Sequence, residues 1–294
     1  VSLISSRQQK PAAPPPVFVC GRYTLALDRP RIMGVVNVTP DSFSDGGHYL
    51  NASQAIAHAT QLVAQGADIL DVGGESTRPG AAPVSPEQEL QRVLPVLEGL
   101  MGLGVPISID TRRPLVMRAA VEMGVDIIND VNGFRDPDAA AVAVASSCGL
   151  CIMHMQGQPQ TMQQAPHYQD VVAEVSSFLF TQRDAFVSKG VAAARILLDP
   201  GFGFGKQMSH NLSLVQAIPQ LAAAHPILVG VSRKSMIGAL SGEPQAADRL
   251  GGSVAAALWA AAAGAQVLRV HDVKATAQAF AVWSALSGGW GACL

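Results

Sequence analysis

The chain has 294 residues, of which 49% are hydrophobic and 14% charged, with a net charge of −2. That much apolar material fills a large core and excludes wholesale disorder. The near-neutral balance argues against nucleic acid or an anionic membrane surface as the main partner. No uninterrupted apolar run reaches the roughly 20 residues of a membrane span; the stretch 254–268 comes nearest, and its Trp259 and small residues fit a buried barrel helix better.

In chain order, residues 1–16 end in a Pro-rich stretch and read as a flexible lead. The lead lacks the apolar centre of a secretory signal, so the expected compartment is the cytoplasm. Residues 17–28 read as a short hairpin that could plug the bottom of a barrel. From 31 onward, short Val- and Ile-rich runs recur at 32–38, 68–73, 106–110, 126–131, 149–155, 195–199, 227–231 and 267–270. Runs so short and so apolar suit strands buried on both faces of a parallel sheet. Segments of helical period separate them. One covers 53–65, with Ser53 as N-cap and Gly66 as stop. The next covers 86–100, opened by Ser85, Pro86 and Glu89, and a third covers 113–123, closed by Gly124. The others fall at 137–147, 169–189, 210–223, 244–263 and 272–286. Eight strand–helix units in about 250 residues predict one (β/α)8 TIM barrel over 17–287; an open doubly wound sheet is the competing arrangement. Residues 288–294 are Gly-rich and read as a frayed tail.

The four cysteines include a lone C-x-x-C, Cys148 and Cys151. No second ligand pair accompanies it, and Cys151 lies in an apolar run, so both read as small core residues.

Barrel enzymes place their chemistry at the C-terminal ends of the strands. Here the apolar runs end in Asn37, Glu75 to Arg78, Asp110, Asn129 with Asp130, His154, Asp199, Ser232 to Lys234, and Arg269 with His271. For Asp110 a helix-cap role competes equally. One of Asn129 and Asp130 could cap while the other points inward. Asp199 could serve the turn at Pro200-Gly201. His154 reads as a packed residue rather than a catalytic one. An Asp–Asn–Asp set suits a flat heterocycle rich in N–H donors. Arg269 and His271, two apart on one strand, leave by the same face and make an anion site suited to a diphosphate. The Gly-rich loops 39–47 and 74–80 suit closure over a substrate. The run at 201–206 imitates a phosphate loop without its hydroxyl residue or spacing.

Two long stretches, GVVNVTPDSFSDG at 34–46 and GADILDVGGESTRP at 66–79, resemble the two signatures of the dihydropteroate synthase family. SIDT at 108–111, IND at 128–130, DPGFGFGK at 199–206, SRKS at 232–235 and RVH at 269–271 continue the likeness in the same order. The resemblance implies a transferase of folate biosynthesis that condenses 6-hydroxymethyl-7,8-dihydropterin diphosphate with p-aminobenzoate. It implies a pterin pocket of Asp110, Asn129, Met153, Asp199, Lys234 and Arg269, with Asp110, Lys234, Arg269 and His271 as the catalytic set. Asn37, Thr77, Arg78, Arg269 and His271 would hold the diphosphate, Asn37 through Mg2+. Asp41, Phe43, Thr77, Pro79, Phe204, Lys234 and Ser235 would shape the p-aminobenzoate site and its loops. Sulfonamides as inhibitors and a homodimer built on the apolar last helices also follow from the likeness.

Overall fold

The fold is given by a computed structural model that describes residues 15–38, 48–76, 84–158 and 161–290, without the side chains at 48–51. Two short strands, β1 (Val17–Cys20) and β2 (Tyr23–Ala26), pair antiparallel. Strands and helices then alternate: β3 (Arg31–Asn37), α1 (His48–Ala64), β4 (Ile69–Gly73), α2 (Pro86–Leu100), β5 (Ile107–Asp110), α3 (Pro114–Met123), β6 (Ile127–Asp130) and α4 (Pro137–Ala145). The second half continues with β7 (Gly149–Met153), α5 (Val171–Ser188), β8 (Ile196–Asp199), α6 (Met208–Gln216), α7 (Ile218–Ala224), β9 (Leu228–Val229), α8 (Ser235–Ser241), α9 (Leu250–Ala262), β10 (Val267–Val270) and α10 (Val273–Ser287).

Strands β3 to β10 form one parallel sheet in the order β8-β7-β6-β5-β4-β3-β10-β9. A parallel bridge between Leu198 and Ile227 brings β9 back beside β8 and closes the ring. Each expected apolar run holds one of these strands, so the arrangement is the (β/α)8 barrel and not the open sheet. Among the described residues no helix is long and apolar enough to cross a membrane.

The helices depart from expectation in three places. Helix α1 starts at His48, so Ser53 lies inside it rather than capping it. Buried Ala52, Ala55, Ala59 and Leu62 form one stripe at helical spacing, and that stripe carries the helix past the serine. The segment 210–223 is broken into α6 and α7 where Pro219, in the first turn of α7, cannot donate to a continuing helix. The segment 244–263 becomes α-helical only from Leu250, after a single 3-10 turn at Ala246–Asp248. Before it, α8 ends at Gly242, and Arg249 ties the link open by donating to the carbonyls of Arg233, Glu243 and Pro244. At the α2 start, Ser85 Oγ accepts from Gln88 N while Gln88 Oε1 accepts from Ser85 N. That reciprocal cap uses Gln88, not the neighbouring Glu89.

The N-terminal hairpin plugs the barrel as expected. Phe18 and Cys20 pack on an interior layer made by Met33, Ile69, Ile127, Cys151, Leu197, Leu228 and Val267. Gly149 makes room for them: a Cβ there would stand 2.5 Å from the Phe18 ring. Asp126, fully buried, anchors the hairpin. Its carboxylate accepts from Arg22 Nε (2.9 Å), Arg22 Nη2 (2.8 Å), Arg22 N (3.2 Å) and Ile107 N (3.0 Å). Asp126→Ala therefore strips an acceptor from several donors at once and should cost about 3 kcal/mol. A urea midpoint unchanged from wild type would show that the plug is not held this way. Cys20, Cys148 and Cys151 are buried free thiols, and burial raises the pKa of each. Past α10, the Trp290 ring packs edge-on against Phe280 at 5.3 Å between centroids.

Candidate active site

Interior side chains above the plugged layer turn polar. Cross-strand register sets Gly73 beside Asp110, Asp110 beside Asn129, and Met153 beside Asp199. Arg269 comes from β10 into the same level. Its Nε donates to Asp71 Oδ2 at 2.6 Å and its Nη2 to Asp110 Oδ2 at 2.7 Å. Asn129 Nδ2 donates to the same Asp71 oxygen at 3.2 Å. One guanidinium is thus clamped between two carboxylates, one from β4 and one from the end of β5. Burial works against its charge, but Asp71 and Asp110 outweigh that, so its pKa is raised. Burial raises the Asp110 carboxyl; Arg269 pulls it down, and Asp71 pushes it further up.

Asp71 is a site residue that the strand-end rule misses. It sits inside the apolar run of β4, between Leu70 and Val72, and is fully buried. The available signal was the charge itself: a carboxylate inside a strand buried on both faces needs a partner.

The alternatives left open for the strand-end residues resolve one by one. Helix α3 is capped from Arg113 with no side-chain bond, so Asp110 is not a cap and points to Arg269. Asn129 points inward, whereas Asp130 accepts from Asn132 N (2.8 Å) and Phe134 N (2.7 Å) and shapes the following turn. Burial raises Asp130 to about 6 against those two donors. Asp199 serves two roles. Its Oδ1 accepts from Gly201 N at 2.7 Å, and its charge faces Lys234. His154 is packed and neutral, held at about 3 by burial and by the charges of Lys206 and Arg135.

Lys234 closes the other side of the basin. Its Nζ donates to the carbonyl of Phe202 and lies 4.6 Å from the centre of the Phe204 ring. Burial lowers its pKa to about 8, with Asp199 restoring part of the loss. Gly230 leaves space below: a Cβ there would sit 3.7 Å from Arg269 Cβ and 4.0 Å from Lys234 Nζ. Met153 joins Val131, Met155 and Met162 in an apolar patch with Phe204 against it. Ser235 is exposed at the first turn of α8.

The residue between Ser232 and Lys234 has a structural task. Arg233 takes a left-handed backbone, φ +60°, which is uncommon outside glycine. A bidentate pair with Asp272 (2.9 and 2.5 Å) holds it, and its own N–H donates to Ser253 Oγ at 2.9 Å. The turn delivers Lys234 inward. His271 pairs with Ser232, Nδ1 to Oγ at 3.1 Å. Asn37 ends β3, half-buried, at the rim.

A second pair of residues missed in the sequence lies just after Thr111. Arg112 binds both oxygens of Glu75 at 3.1 Å. Arg113 Nη2 stands 3.5 Å from Glu75 Oε1 and donates to the Val84 carbonyl at 3.3 Å. Both flanks of the segment 77–83 are thereby tied to the end of β5. Thr77, Arg78 and Pro79 lie outside the described residues, as do Asp41 and Phe43.

Residues 33–271 match the family described as pterin binding enzyme. The dihydropteroate synthase of Neisseria meningitidis serogroup B is 56% identical over 277 residues, which cover 92% of this chain and 97% of that one. The Xanthomonas albilineans dihydropteroate synthase, solved with 4-aminobenzoic acid, superposes with a TM-score of 0.87 at 49% identity, covering 92% of this chain and 98% of that chain. The Burkholderia cenocepacia dihydropteroate synthase, solved with 7,8-dihydropteroate, gives a TM-score of 0.85 at 47% identity, covering 94% and 98%.

Proposed function

The chain belongs to the dihydropteroate synthase family of pterin binding enzymes, and from that premise we propose that the polar basin at the C-terminal ends of its strands is the active site. The enzyme joins 6-hydroxymethyl-7,8-dihydropterin diphosphate to p-aminobenzoate and releases diphosphate. The observation that carries the site assignment is the clamp of Arg269 between Asp71 and Asp110, facing Asn129, Asp199 and Lys234 across one basin.

Asp110, Asn129 and Asp199 accept or share the N–H edge of the pterin, Met153 forms an apolar wall, and Lys234 donates from above. Arg269 stacks on the ring; with Nε and Nη2 engaged by carboxylates, Nη1 is its donor toward diphosphate. His271, oriented by Ser232, supplies the second diphosphate contact. Phe204 and Ser235 border p-aminobenzoate. Asp41, Phe43, Thr77, Arg78 and Pro79, outside the described residues, take the loop roles that the family likeness implies. Sulfonamides, as mimics of p-aminobenzoate, compete for that same end.

The chemistry follows from these groups. The methylene–oxygen bond to diphosphate breaks first, and the cation left behind is conjugated with the electron-rich pterin. Asp110 and Asp199 place negative charge beside it, where burial makes that charge count most. The arylamine nitrogen is neutral at pH 7 and attacks the methylene directly. Departing diphosphate can accept the proton it sheds, so no protein base is needed.

Among the described residues no group of three or more His, Cys, Asp or Glu could hold a metal. Mg2+ characteristically keeps its waters and the substrate's phosphates with only one or two protein oxygens. The Asn37 amide fits that donor set. When bound, Mg2+ neutralises charge on the leaving group. The assignment is tested by Asn37→Ala, which should raise the Mg2+ concentration for half-maximal turnover by roughly tenfold. An unchanged Mg2+ titration would put the ion on other residues.

We assign a pairing surface to the last helices. Trp259 of α9 and Val282 and Leu286 of α10 are exposed, Leu286 to 83%. A second copy of the chain covers this apolar face. The variant carrying Val282→Glu and Leu286→Glu should run at half the wild-type mass in light scattering. A wild-type mass already equal to one chain would refute the dimer.

A further inference from the structure

The run Gly201 to Lys206, a phosphate-loop imitation in the sequence, has another task in the fold. Lys206 is buried, 3% exposed, and turns its Nζ into the protein, where backbone oxygens surround it. Nζ lies 2.9 Å from the Gly201 carbonyl, 3.1 Å from that of Phe204, 3.2 Å from that of His154 and 3.0 Å from His154 Nδ1. An ammonium has three protons and no acceptor, so these four positions consume all its donors and leave none for a phosphate. An ammonium can only donate, so with Lys206 protonated the His154 Nδ1 is the acceptor in that contact.

These contacts span the loop. Gly201 opens it, Phe204 lies in its middle, and His154 belongs to the end of the adjacent strand β7. The fit there is close, for a Cβ at Gly201, whose φ is +68°, would stand 1.9 Å from the His154 carbonyl oxygen. From the far side Tyr168 Oη donates to the Gly205 carbonyl at 2.9 Å, and Gly203 N donates to Asn211 Oδ1 at 2.8 Å. Between these anchors the loop offers two groups to the basin, and both meet Lys234: the Phe202 carbonyl and the Phe204 ring.

We propose that Lys206 is a positioning residue that clasps the loop to the end of β7, and so holds the Phe204 ring against the Lys234 ammonium for p-aminobenzoate, acting through the ring and without touching either substrate. This rests on the assignment of Phe204 and Lys234 to that substrate. Lys206→Met keeps the length of the stem and removes every donor. It should lower kcat/KM for p-aminobenzoate by about tenfold or more, a loss of the size that small misplacements bring. Lys206→Gln, which retains two donors, should recover part of it.

The decisive readout is a double-mutant cycle with Phe204→Ala, measured per folded molecule. If Lys206 acts through the ring, adding Lys206→Met to Phe204→Ala should cost less than about threefold more. Multiplicative losses with Phe204→Ala itself impaired would overturn the clasp and leave the site assignment standing. A Phe204→Ala enzyme with wild-type kcat/KM would overturn the site assignment and the clasp with it. Failure of both the Met and the Gln variants to fold would make Lys206 a determinant of fold stability and likewise overturn the proposal.

Discussion

Arg269→Ala should lose turnover by roughly 10²- to 10³-fold, the size seen when one preorganised donor to a developing charge is removed. It should also destabilise the fold. Arg269 is the cation between Asp71, fully buried, and Asp110. Truncating it leaves carboxylates in the barrel interior without a counter-charge, a loss of about 3–5 kcal/mol. The sign of the pH dependence separates this from ordinary core damage. In wild type Arg269 pulls the Asp110 pKa down against burial. Without Arg269, burial and the Asp71 charge both push it up with that counter-charge gone, so the folded state holds a proton that the unfolded chain releases. Stability then falls as pH rises, and it recovers as pH is lowered from neutrality toward the ordinary carboxylate range near about 4. Urea midpoints at several pH values would show that recovery. A variant equally stable at every pH, or one with near wild-type turnover, would contradict the clamp.

Lys234→Ala should have a comparable effect on turnover, roughly 10²-fold or more, while the fold survives. The difference lies in what each truncation strands. Lys234 contacts a backbone carbonyl and an aromatic face, both at the rim of the basin. Asp199, which faces it, keeps the hydrogen bond from Gly201 N. A urea midpoint within about 1 kcal/mol of wild type is expected, together with weakened binding of both substrates, because Lys234 stands between them. Near wild-type rates would remove Lys234 from the machinery. A collapse of stability as large as that of Arg269→Ala would mean that its role is structural.

The barrel was readable because its signal is strong and local. Eight short β-branched runs, buried on both faces, alternate with amphipathic segments, and few other folds produce that pattern. The strand-end rule then singled out Asp110, Asn129, Asp199, Lys234, Arg269 and His271 as candidates without reference to any family. What it missed has a common cause. Asp71, Lys206 and the Arg112–Arg113 pair act by pairing with groups far along the chain, and only closure of the ring brings those partners together. Asp71 is 198 residues from Arg269. Helix ends were misread where the deciding contact is also tertiary. The α1 start depends on a buried alanine stripe, and the loop before α9 depends on Arg249 binding three carbonyls. The α6–α7 break is the exception, since Pro219 announced it locally.

Release of diphosphate from 6-hydroxymethyl-7,8-dihydropterin diphosphate should be measured with Mg2+, in the presence and absence of p-aminobenzoate, with dihydropteroate followed in parallel. The basin as assigned predicts one diphosphate for each dihydropteroate formed, with both products lost together in Lys234→Ala and Arg269→Ala. Tight binding of the pterin diphosphate with no diphosphate released when p-aminobenzoate is present would contradict it, and would leave a pterin-binding barrel of different chemistry.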